Sequence, residues 1–211
     1  MPKLLWSILV VIFLFSRNVV GQPSMAGRFF KLSLPEIWWV AGHPFSAPDA
    51  FFAAQEARQW TDSLRKNNSL DGDEKGGKLD AFKHTYWMAR MGQKMKLKWA
   101  CKLGVAHEQG NKIRFFRNPG AYYEANDSVS SAMDLWNNRQ GLKLAQKHPA
   151  LKPKQLREKV MALIKHGKAR IVKRDSKGRF LKPNGGAIPK DSLIGRWNNS
   201  KTLVPSDYEY P

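Results

Sequence analysis

The stretch S130-SAMDLWNNRQGLKLAQK-H148 decides how this chain is read. Laid on a helical wheel at about 100° per residue, Leu135 and Leu142 fall on one side of Asp134, and Met133 and Leu144 on the other. Arg139, Lys143, Gln146 and Lys147 collect opposite, so the acid occupies the middle of the stripe that should face the core. Asn138, Gly141 and Ala145 lie within about 40° of it, two of them small enough to admit a neighbouring backbone or a ligand. A buried carboxylate costs several kcal/mol or more unless something compensates it. The fold must therefore bring a partner to Asp134.

The helices upstream repeat the pattern. Residues 78–95 form one, with Lys83, Arg90 and Lys94 as its wet stripe and Asp80 one turn before His84 along the border with Met91. Taken alone, the pair reads as a local salt bridge. Taken functionally, the aspartate orients the imidazole or shares a metal ion with it. Residues 97–109 form the next, with Lys98 and Lys102 outward, and Leu97, Cys101, Gly104 and Glu108 sharing the far face beside His107. Three helices thus each turn an acid away from water.

Outside this centre, Pro35 opens a short helix expected to pack Ile37, Trp38 and Trp39 on the domain, and His43 is a loop residue with a structural hydrogen bond. A membrane-touching patch is the functional alternative for this aromatic segment. A helix from Ser46 to about Leu64 carries Phe51, Ala54, Ala57 and Leu64 as core positions. The polar loop 66–77 holds Asp71, Asp73 and Glu74 but lacks the later bidentate acid of a calcium loop, and reads as a solvated turn. Residues 110–129, with Arg114, Arg117 and four aromatics, read as a long connection able to close over the acids. Ser130 and Ser131 are expected to cap the Asp134 helix. Pro149 ends that helix, and Pro153 opens another, with Leu156, Val160, Leu163 and Ile164 on one face. RIVKRDSKGRFLK then reads as a hairpin, with Gly178 at the position needing positive φ. The class is mainly α: a compact bundle of about five to six helices with a small C-terminal β-hairpin and an extended tail.

The ends and the charge bound the function. Lys3, the apolar run from Leu4 to Ser16, and the small residues Val19 and Gly21 before Gln22 read as a cleaved secretory signal. Residues 1–21 are then the signal, 22–182 one helical domain, and 183–211 the tail, in an exported protein of the periplasm, the envelope or the medium. One cysteine, Cys101, excludes an intramolecular disulfide. The net charge of +19 loses only Lys3 and Arg17 with the signal. It favours anionic partners: phosphate, lipid headgroup, acidic glycan or nucleic acid. The bland reading of that charge is a solvated, soluble surface.

The blocks LSLPEIWWVAGHPF, LDAFKHTYW, AHE and MDLWNNRQG, in this order, resemble an uncharacterised family of exported, mostly helical bacterial proteins of the Bacteroidetes type. Its pattern is Asp-Ala-Phe-Arg-His with a following aromatic and Trp, then Ala-His-Glu, then Met-Asp-x-x-Asn-Asn with a downstream glycine. The resemblance covers roughly residues 29–148. It singles out Asp80, His84, Trp87, His107, Glu108, Asp134, Asn137, Asn138 and Gly141. Lys83 stands where the family has arginine, which weakens a bidentate role there. The resemblance implies no activity.

Two histidines, three acids and two asparagines suit a hydrolase of phosphoesters or carboxylesters, with or without a divalent metal ion. In that reading His84 or His107 is the base, an acid orients it, and Asn137 or Asn138 holds the substrate or an oxyanion. Asp80, His84, Glu108 and Asp134 are the candidate ligands of a metal. No HExxH, P-loop or GxSxG motif is present. The alternative is a non-enzymatic cationic envelope protein that binds an anionic polymer or lipid. Its polar cluster would be a satisfied network fixing helix register.

Overall fold

The computed structural model describes residues 31–121 and 126–210; the signal reading of residues 1–21 lies outside them. Six α-helices appear among these residues: α1 Leu34–Gly42, α2 Ala47–Lys66, α3 Lys78–Lys94, α4 Leu97–Arg117, α5 Ser128–Lys147 and α6 Pro153–Lys165. Two short strands, β1 Arg170–Val172 and β2 Leu203–Pro205, pair antiparallel, Ile171 opposite Val204. The turn before the tail forms around Gly178 at φ +76°, where Gly178 N–H donates to Asp175 O, and Arg174 faces Phe180 across an isolated bridge. β2 comes from the tail, which returns to lie beside β1.

α3 is the hub, packed by α5, α2, α6 and α4. On one side its Leu79, Phe82 and Tyr86 meet Ala57 and Leu64 of α2, Leu156, Val160 and Ile164 of α6, and Ile171 of β1. Toward its other end, Met88 and Met91 join Trp39 of α1, Ala50 and Ala53 of α2, and Ala100, Leu103 and Ala106 of α4. A third cluster gathers Met133 of α5 with Val172, Phe180, Ile188 and Leu193, so the C-terminal segment covers the start of α5.

α3 and α5 approach closely at Gly141. A Cβ there would lie 2.2 Å from Thr85 O and 2.9 Å from Ala89 N, backbone atoms that cannot yield. This contact sets how near Asp80 and His84 on α3 come to Asp134 on α5.

Several expectations need correction. Surrounded by four helices, α3 keeps little wet surface: Lys83 and Arg90 are only partly exposed, and Arg90 Nε reaches Glu56 Oε2 on α2 at 3.1 Å. α4 does not stop near Gln109 but continues to Arg117, so residues 110–117 of the expected connection are helix, and buried Phe115 belongs to the core. On α2 the buried positions are Ala50, Ala53, Ala57, Thr61 and Leu64, with Phe51 and Ala54 only partly covered. Trp38 and Cys101 are exposed rather than packed. Asp127, not Ser130 or Ser131, caps α5, its Oδ1 accepting from Val129 N and Ser130 N at 3.0 and 2.8 Å. The loop 66–77 is more than a solvated turn, because Asp71 accepts from the Lys78 and Leu79 N–H groups that open α3.

Candidate functional site

The wheel places Asp134 inward, and the fold does the same. Asp134, Asn138, Gly141 and Ala145 are all buried, while Arg139, Lys143, Gln146 and Lys147 are exposed. What meets Asp134 is His84. Its Nε2 stands 3.5 Å from Asp134 Oδ1 and 3.6 Å from Asp80 Oδ1. One ligand atom from each of the three residues lies within 4.8 Å of the others. Two ligands about 2.1 Å from a tetrahedral ion stand roughly 3.4 Å apart, so both observed separations suit a shared cation better than direct hydrogen bonds.

The electrostatics agree. Burial drives His84 down to about 3 despite Asp80, leaving a neutral imidazole with a lone pair to give. Burial also raises Asp134 well above the ordinary carboxylate range, and Asp80 and Glu108 push it the same way. Glu108 is raised chiefly by burial, against the pull of His107, Asn111 and Ser131. Lys83 is the cation that answers them: its Nζ sits 2.6 Å from Asp80 Oδ1, and Asp80 outweighs the burial that would otherwise lower it. Three carboxylates against one ammonium leave an excess of two negative charges when all are ionised, the deficit a divalent ion would fill.

The surrounding polar atoms test whether the pocket suits such an ion. Among the described residues, buried Glu108 Oε1 and both amide atoms of Asn138 lack a well-formed hydrogen bond, and Asp134 Oδ1 has only the long approach of His84. Buried polar groups are rarely left so. The three ligand side chains are 7–10% exposed, and the converging oxygens Asp80 Oδ1 and Asp134 Oδ1 are themselves buried. The residues fit a divalent cation of oxygen and nitrogen preference.

The other expected residues are distributed around this centre. Glu108 faces Asp134 electrostatically, and its Oε2 accepts from Asn111 Nδ2 at 3.1 Å. His107 turns to α1, where Glu36 Oε1 lies 2.8 Å from its Nδ1. Burial works against Glu36, but His107 and Ser33 hold it at about 2. It is therefore an ionised acceptor to which His107 Nδ1 donates, leaving Nε2 as the ring nitrogen that Glu36 does not engage. The His107 ring is 6.2 Å from that of His84 and 5.5 Å from that of Trp87. Asn137 spends its whole amide on the Arg170 backbone, donating to the carbonyl and accepting from the N–H, both at 2.9 Å. It ties α5 to β1 and points away from the cluster's chemistry.

Sequence reasoning missed Glu36, Asn111 and Lys83. Glu36 was findable as the single ionisable side chain of LPEIWWVAG, although a glutamate three residues after Ser33 also reads as a capping acid. Its Oε2 does accept from both Ser33 N and Ser33 Oγ, so the cap and the site share one carboxylate.

The model of a domain of unknown function, DUF6973, matches residues 37–168. The chain belongs to the DUF6973 family. No curated protein and no solved structure matches it. The DUF6973 span contains Asp80, His84, His107, Glu108, Asp134 and Asn138. It begins one residue after Glu36 and ends before β1.

Proposed function

We propose that this DUF6973 protein is a divalent-metal-assisted hydrolase acting on phosphoester or carboxylester substrates. The observation that carries the reading is the convergence of His84 Nε2 on Asp80 and Asp134 at 3.6 and 3.5 Å. Asp80, His84 and Asp134 hold the ion, with Glu108 alongside. Bound there, a divalent ion supplies Lewis-acid charge beside a substrate oxygen. His107, its Nδ1 fixed by Glu36, takes a proton from water at Nε2. The Asn138 side chain, which also lies against His84, donates from its amide nitrogen to the oxygen on which charge develops. The cationic surface favours phosphoesters over neutral esters by drawing anions toward the protein.

A second reading has its own observation. Asp80 is already served by Lys83 Nζ at 2.6 Å and by Gly76 N–H at 3.0 Å, as a residue of a structural network would be. That network would fix the register of α3 on α5 in a cationic envelope protein without catalysis.

Hydrolysis of p-nitrophenyl phosphate, bis-p-nitrophenyl phosphate and p-nitrophenyl acetate in manganese, zinc and magnesium separates the two. The hydrolase reading expects metal-dependent turnover that Asp134→Asn and His107→Ala each lower by about 100-fold or more. Absence of turnover on all three with every ion favours the network.

A further inference from the structure

α1 is built the wrong way round for a helix at a water interface. Its one ionisable side chain, Glu36, points inward to His107, while its outer face carries Leu34 and Trp38, 59% and 58% exposed, and leads into Phe45, 92% exposed. Trp39, on the inner side, is buried and donates from Nε1 to Trp99 O at 3.0 Å. A surface helix ordinarily sets polar residues outward. Here no charged side chain of α1 faces out.

The neighbouring helix supplies the charge. α1 runs along the α4 ridge that passes through Trp99, His107 and Gly110: Trp39 bonds Trp99, Glu36 bonds His107, and a Cβ at Gly110 would come within 2.2 Å of Ser33 Oγ. On one side of that ridge Ala100, Gly104, Glu108 and Asn111 are buried toward the core. The row on its other side is Lys98, Lys102, Val105, Gln109 and Lys112, and all five are exposed. An apolar stripe with aromatic residues thus runs beside a row of lysines.

We propose that the outer face of α1, with the lysine row of α4, is a docking surface for an anionic lipid bilayer. Apolar and aromatic side chains entering the headgroup boundary beside a cationic border are the chemistry of an interfacial helix. At nine residues α1 lies on the bilayer and does not cross it, and among the described residues no helix is long and apolar enough to do so. The whole chain carries +19, which adds attraction to an anionic surface. A second copy of the protein fits less well, because a two-fold contact over this face would bring the lysine rows toward each other. Docking on this face stands apart from the chemistry of the cluster.

The test is flotation of the full chain with phosphatidylcholine vesicles, with and without phosphatidylglycerol, at low and high salt. The expected result is partitioning to the anionic vesicles only. It should be lowered about tenfold or more in the Leu34→Ser/Trp38→Ser double variant, and by about fivefold for each of Lys98→Gln and Lys102→Gln. All four positions are exposed, and the variants share residues 1–30 with the parent, so any contribution of that segment cancels. Partitioning unchanged in both sets of variants overturns the proposal. So does equal binding to neutral vesicles, failure of the parent to bind, or a concentration-dependent dimer that the Leu34/Trp38 variant abolishes.

Discussion

At the residue scale, Asp134 and His84 pull the pH dependence of stability in opposite directions. His84 titrates at about 3 in the folded chain against an ordinary 6.5. Its stabilising contribution is therefore complete above pH 6.5 and is lost as pH falls toward 3, because the unfolded chain takes a proton that the folded one refuses. In metal-free protein, His84→Gln should flatten this acid limb, read from urea midpoints across that range. Asp134 works the other way: raised by burial, Asp80 and Glu108, it withdraws stability as pH rises through its elevated pKa. Asp134→Asn in chelator-treated protein at neutral pH should then be as stable as the parent or more so. If the cluster were only a satisfied network, the same change would cost about 1.5–3 kcal/mol.

At the scale of elements, the α3–α5 contact sets the site's dimensions. Gly141→Ala should cost about 1–3 kcal/mol by overpacking and weaken metal binding as well, since the added Cβ meets Thr85 O and Ala89 N; unaltered affinity would show that the helix spacing does not tune the cluster. A second restraint comes from the tail. Lys201 Nζ reaches Asp127 Oδ2 at 2.7 Å, the two side chains 0% and 2% exposed, and so pins the C-terminal segment to the cap of α5. Lys201→Met should destabilise by about 3 kcal/mol, the low end for breaking a buried pair, because Asp127 keeps its two backbone donors. Lys201 and Asp127 are 74 residues apart, and no local pattern announces such a pair. α5 was legible because it has one wet side, which is what a wheel assumes. α3 was misread on that same assumption, since four packed helices leave Lys83 and Arg90 only partly exposed and Lys94 alone of the expected stripe fully open to water. The apparent stop at Gly110 and Asn111 was overridden by packing, with Ser33 seated over Gly110 and Asn111 bonded to Glu108.

For the whole molecule, the mainly α class and the inward carboxylate were readable from periodicity and the turn at Gly178 from its residues, whereas the strand that pairs with β1 comes from the tail, which no local pattern announced. Glu36 was not, because its role depends on α1 docking on α4, a tertiary event that places one carboxylate between a cap and a histidine. Processing is a prediction at this scale too: the chain recovered from the envelope or the medium should begin near Gln22 by intact mass, and full-length protein confined to the cytoplasm would contradict export. The central claim is that Asp80, His84 and Asp134 form a cation site. Its most direct test is calorimetric titration of chelator-treated protein with zinc and manganese, run in parallel on Asp134→Asn and His84→Ala. The account predicts one ion per chain in the parent and a loss of about 100-fold or more in affinity in each variant. An unresponsive parent, or variants that bind as the parent does, would contradict it.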